Sequence, residues 1–269
     1  MKRTIPCILL LLYMTFSYAQ TTPNTSTSKI VNSLYKQFIK AERRENPLPL
    51  WQQIMTTLKN ANVMGEVRNQ AVSGNPYAQD VLGFVYYLGF GGLSQDPAQA
   101  AFWYRKAADQ GLANAQYNLG VLYEKGQGMP QDYAQAAAWY RKAADQGNPD
   151  AQTTLGGLYD YGEGVPRDDA QAAFWYRKAA DQGYSKAQFY LGVFYTNGLG
   201  VPQNLTLAVS WYRKAADQGL VAAQRNLGIL YFKALGNSAE AERFLKLAAA
   251  QGDEDAADYL RILQTGAAK

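Results

Sequence analysis

The chain has 269 residues, 48% hydrophobic and 18% charged, a globular balance that argues against disorder over most of its length. It has no histidine and one cysteine, Cys7, which excludes histidine-based triads, HExxH zinc sites, Cys/His metal clusters and a disulfide framework. The net charge of +4 is too weak to point to nucleic acid, and only carboxylates, Lys, Ser, Thr and Tyr remain for chemistry, so a protein without catalysis is expected.

Lys2 and Arg3 precede an apolar run from Ile5 to Phe16, about a dozen residues, long enough for a secretory core and too short to span a bilayer. Ser17-Tyr18-Ala19 offers small residues at the −3 and −1 positions, so residues 1–19 are expected to be a signal peptide cleaved near Ala19. Cys7 has no small-residue lipobox before it, which speaks against a lipid anchor. The expected product is periplasmic or secreted, monomeric and without stable membrane insertion. Residues 20–28 are too polar to pack and read as a flexible leader. Asn24-Thr25-Ser26 and Asn204-Leu205-Thr206 fit the glycosylation sequon, a pattern that arises easily by chance. Residues 29–73 hold amphipathic stretches through Ile30, Leu34 and Phe38 and through Leu50, Ile54 and Leu58, and form an expected N-terminal helical cap.

The rest is repetitive. Trp103-Tyr104, Trp139-Tyr140, Trp175-Tyr176 and Trp211-Tyr212 are each 36 residues apart, and each opens Trp-Tyr-Arg-Lys-Ala-Ala-Asp-Gln-Gly. Between them Leu-Gly recurs at 119/120, 155/156 and 191/192, with Tyr123, Tyr159 and Tyr195 three residues after each glycine. Each copy reads as a helical hairpin. The first helix has apolar residues at spacings of three, four and seven. The second starts after Asp96, Asp132, Asp168, Asn204 or Asn237 as N-cap and stops at the glycine of Asp-Gln-Gly. Leu119, Gly120, Tyr123, Trp139, Tyr140, Leu155, Gly156, Tyr159, Trp175, Tyr176, Leu191, Gly192, Tyr195, Trp211 and Tyr212 form the expected repeat core. The recurrent helix glycine costs about 1 kcal/mol in propensity, which implies that a neighbouring helix must approach closely there. The expectation is an all-α, right-handed α/α superhelix of helix-turn-helix repeats of about 36 residues. The repeats are placed at 74–111, 112–147, 148–183, 184–219 and 220–252, and residues 253–269 form a C-terminal capping helix and tail.

The pattern Ala-x-Ala-Gln-x-x-Leu-Gly-x-x-Tyr, then Gly-x-Gly-Val-Pro-x-Asp, then Ala-x-x-Trp-Tyr-x-Lys-Ala-Ala-x-x-Gly resembles the Sel-1-like repeat, a relative of the tetratricopeptide repeat. The resemblance covers residues 76–263 and implies an α/α solenoid that acts as an adaptor for protein or peptide partners. Exported bacterial members are frequent in that family. A cysteine-rich branch is linked to penicillin binding and hydrolysis, and this chain lacks its paired cysteines.

Several site-like features carry little specificity. Gly126-Gln127-Gly128 and its echoes recur as interhelical turns, with no preceding strand and no GK[ST], so phosphate cradles are not expected. Ser26 to Lys29 and Ser33 to Lys36 fit SxxK without a later SDN or KTG. The Arg-Lys pairs from 105/106 to 213/214 read as a solvated ridge, with an aspartate three residues beyond each lysine to pair with. Binding is expected where repeats differ on the first helix: Tyr117, Asn118, Glu124, Lys125, Thr153, Asp160, Tyr161, Phe189, Tyr190, Asn197, Arg225 and Phe232. No cofactor or metal is expected. The alternatives are a cell-wall hydrolase or β-lactam-binding protein, and a secreted effector that binds host proteins.

Overall fold

The computed structural model describes residues 61–265 apart from Phe90. The expected signal peptide, the leader, the first part of the cap, both SxxK strings and residues 266–269 lie outside that range. Twelve helices are present among the described residues: α1 (Ala61–Val72), α2 (Pro76–Leu88), α3 (Pro97–Asp109), α4 (Ala113–Lys125), α5 (Tyr133–Asp145), α6 (Pro149–Tyr161), α7 (Asp169–Asp181), α8 (Ser185–Asn197), α9 (Leu205–Asp217), α10 (Val221–Lys233), α11 (Ser238–Ala249) and α12 (Glu254–Thr265). The chain divides into two compact units, with the boundary between Trp139 and Tyr140 inside α5. In the first unit α1 packs on α2, α2 on α3 and α3 on α4. In the second, each helix from α6 onward packs on its successor. This is the helix-hairpin packing of an α/α solenoid.

Local sequence sets the helix ends. Asp96, Asp168 and Asn204 adopt extended backbone, and their side chains accept from the first free N–H groups of α3, α7 and α9. Asp132 does the same for Gln135 of α5 at 2.9 Å. Asn75 and Asn148 cap α2 and α6, where Pro76 and Pro149 occupy a first-turn position whose missing N–H costs nothing. The N-cap of each hairpin's second helix is also tied back by its own N–H to the recurrent tyrosine's carbonyl, as Asp168 is to Tyr159 at 2.9 Å. Gly200, in the turn after α8, has φ +60°, and a Cβ there would lie 2.2 Å from the Asp169 carbonyl of α7. Only glycine fits.

Alanine, leucine and aromatic rings share the core. Leu119, Leu155 and Leu191 are buried, as are Trp139, Tyr140, Trp175, Tyr176, Trp211 and Tyr212. Gly83, Gly156 and Gly192, buried in their helices, face a ring rather than a bare backbone. A Cβ on Gly156 would lie 2.8 Å from the Tyr176 ring, and one on Gly192 would lie 2.6 Å from that of Tyr212. In the final hairpin Leu245 takes the ring's place against Gly228. Arg261 of α12 stands where the other first helices have glycine; it is exposed and pairs with Asp258.

Two repeated polar devices hold the hairpins together. Gln79, Gln116, Gln152, Gln188 and Gln224 are buried, and each amide donates to the last-turn carbonyl of the preceding helix, Ala71, Ala108, Ala144, Ala180 and Ala216 respectively, at 3.0–3.2 Å. Those carbonyls lack full intrahelical partners. Gln110, Gln182, Gln218 and Gln251 then donate to Gln79, Gln152, Gln188 and Gln224 at 2.7–2.8 Å.

The second device corrects the expected solvated ridge. Arg105, Arg141, Arg177 and Arg213 turn inward and donate to the hydroxyls of Tyr123, Tyr159, Tyr195 and Tyr231. The same guanidinium planes lie over Trp139, Trp175, Trp211 and Phe244 at 4.9–5.5 Å. Guanidinium is planar and weakly hydrated, so it tolerates this position between rings. The lysines stay outside: Lys106, Lys178 and Lys214 are exposed, with the ammonium over Phe102, Phe174 and Trp211.

Candidate functional site

The variable positions of the first helices separate into engaged and available residues. In the first unit, Asn118 donates to the buried Asp80 at 3.3 Å, Tyr117 and Glu124 are half-buried, and Lys125 is exposed at the end of α4. In the second unit, the Thr153 hydroxyl donates to the Pro149 carbonyl and the Asn197 amide to that of Val193, both within their own helices. Arg225 bridges Asp253 and Asp255 at 3.0 and 3.3 Å, so it ties α10 to the start of α12. Phe232 meets Tyr259 edge-on at 6.5 Å.

Asp160, Tyr161, Phe189 and Tyr190 remain, and the structure brings them together. The Tyr190 ring of α8 stacks on the buried Tyr176 ring of α7, with centroids 4.8 Å apart and planes 16° apart. Phe189 packs edge-on against Tyr190 at 5.4 Å and leans on Tyr212 at 5.9 Å. Tyr161 ends α6 and is 71% exposed, the most exposed aromatic residue of the described chain. Asp160, half-buried beside it, lies close enough for its charge to act on the Tyr176 and Tyr190 phenols.

Burial pushes the Asp160 carboxyl above the usual aspartate range, and Asp169 adds to the rise while Arg167 opposes it. Burial also raises the phenols of Tyr176, Tyr190 and Tyr212. At neutral pH these hydroxyls are therefore protonated hydrogen-bond partners, not nucleophiles. The arrangement presents rigid rings and one carboxylate, which suits recognition. Among the described residues no group of three His, Cys, Asp or Glu could hold a metal ion, and no helix is long and apolar enough to cross a membrane.

The sequence reading placed Tyr176 in the core and missed its second role as the floor beneath Tyr190. The signal was available: Phe189-Tyr190 is the only aromatic pair at that register of the first helices.

The fold and this surface define a helix-hairpin repeat protein of the solenoid class. Residues 76–112, 113–148, 149–184, 185–220 and 221–253 each match the Sel1 repeat, and the chain belongs to that family. Sel1 repeats serve generally as protein-interaction scaffolds. A protective antigen of uropathogenic Escherichia coli strains with an SLR fold superposes with a TM-score of 0.72 at 32% identity, covering 84% of this chain and 51% of that one. A Sel1 repeat protein from Oxalobacter formigenes gives 0.69 at 36% identity, covering 74% and 82%. Over 59 residues the chain is 39% identical to the ERAD-associated E3 ubiquitin-protein ligase component HRD3A of Arabidopsis thaliana, 22% of this chain and 9% of that protein. The chain thus spans about half of the antigen and under a tenth of the plant protein.

Proposed function

We propose that the chain is an exported, non-catalytic, monomeric adaptor that binds a protein or peptide partner, with its contact centred on Asp160, Tyr161, Phe189 and Tyr190. The carrying observation is an exposed tyrosine beside a ring, that of Tyr190, fixed by stacking on a buried one. Aromatic side chains held rigid before binding lose little entropy on contact. The basic and apolar start of the chain supports export. So does the likeness to an antigen, since a protective antigen is one that immunity reaches. The plant relative is a component of a ligase, which fits repeats that work in assemblies.

A photo-crosslinking amino acid at position 161, with position 217 as exposed control, tests this reading in the producing cell. One discrete adduct is expected from 161 in the envelope fraction or culture supernatant and none from 217. Equal labelling from both positions, or none from 161, contradicts it.

A further inference from the structure

We propose that Asp160, Tyr161 and Tyr190 form a receptor for one cationic side chain, lysine or arginine, of a peptide partner. This deepens the binding reading above and rests on it.

The chain supplies its own precedent. Lys233 ends α10 and places its ammonium over the Tyr259 ring of α12 at 4.9 Å. In the repeat register Lys233 occupies the place of Tyr161, and Tyr259 occupies the place of Tyr190. At the later junction an internal lysine therefore covers the tyrosine. At the α6–α8 junction that lysine is replaced by a second ring, and a carboxylate stands beside it. Other aromatic faces of this unit also hold cations, as Arg177 does over Tyr195 and Trp211. Tyr161 and Tyr190 stand in the corresponding places, near enough for one to act electrostatically on the other, and neither ring holds a cation among the described cation–ring contacts.

Charge points the same way. The guanidinium that acts on Asp160 is that of Arg167, which bonds to Asp169 at 3.0 Å and is largely exposed. Asp160 lies in the last turn of α6, where the helix end carries partial negative charge. A cation there would meet the ring faces and the carboxylate together. An acidic group would face Asp160 and Asp169, and an apolar one would desolvate Asp160 without pairing it.

Panning of a random-peptide phage library on the purified full chain tests the proposal, with selected peptides then synthesised. The expected binders share one Lys or Arg, and replacing it with norleucine weakens binding about tenfold or more. Asp160→Asn and Tyr161→Ala each cause a similar loss with unchanged helicity and melting, and Asp160→Lys shifts selection toward acidic peptides. Binders that need no basic residue, or that bind Asp160→Asn and Tyr161→Ala as tightly as the parent, overturn the cation receptor and leave the adaptor reading standing. If no peptide is enriched over an uncoated surface, both are overturned.

Discussion

Gly156 and Gly157 are neighbours in α6, yet their surroundings differ sharply. A Cβ on Gly156 would press on the Tyr176 ring at 2.8 Å, and that ring is backed by Tyr190 and Phe194. A Cβ on Gly157 would meet only the Tyr176 hydroxyl at 3.7 Å. Gly156→Ala is therefore expected to lower stability by about 1–2 kcal/mol net of its propensity gain. Gly157→Ala should raise it by about 1 kcal/mol. Urea unfolding of the two variants checks both signs. Asp150 is a second case in which the environment decides. Burial raises its carboxyl above the ordinary 3.8, while the Tyr184 hydroxyl and Lys186 pull partly back. A raised carboxyl contributes stability that is complete below the unfolded value and lost as pH climbs through the folded one. The melting temperature of the parent relative to Asp150→Asn should thus rise as pH falls from about 7 to about 3.5. A difference independent of pH would contradict the assignment.

At the scale of helices, N-caps and glycine stops were legible in the residues, because a cap is a local event within four positions. The pairing of Arg177 was not. Sequence spacing offered Asp181 as its neighbour's partner, whereas folding brings Tyr195 and Trp211 to it from the next two helices. The glutamine ladder was hidden for the same reason, since Gln152 meets Ala144 and Gln182 only once α5, α6 and α7 are packed. A double-mutant cycle on Arg177→Met and Tyr195→Phe should show a coupling of about 0.5–2 kcal/mol. Because the pair is partly buried between rings, that coupling should persist in high salt, unlike that of a surface ion pair. Loss of the coupling in about 1 M salt would return these arginines to the solvated ridge that the sequence suggested.

At the scale of the molecule, the period of 36 residues was enough to specify hairpin after hairpin, since one hairpin cannot bury its apolar stripe alone. The surface proposed for binding was only partly legible. Variability between repeats selected twelve residues, but several of them, Arg225 and Thr153 among them, serve internal bonds that become visible only in the packed fold. Asp160, Tyr161, Phe189 and Tyr190 stand out because they gather around the Tyr190 ring, which lies on the buried floor of Tyr176. The central claim is that this chain works by contact at that floor. The most direct measurement is the affinity of the crosslinked partner for the parent and for a Tyr161→Ala, Asp160→Asn double variant matched in melting temperature. A loss of about tenfold or more is predicted, as expected for a hot spot. Unchanged affinity would contradict the account.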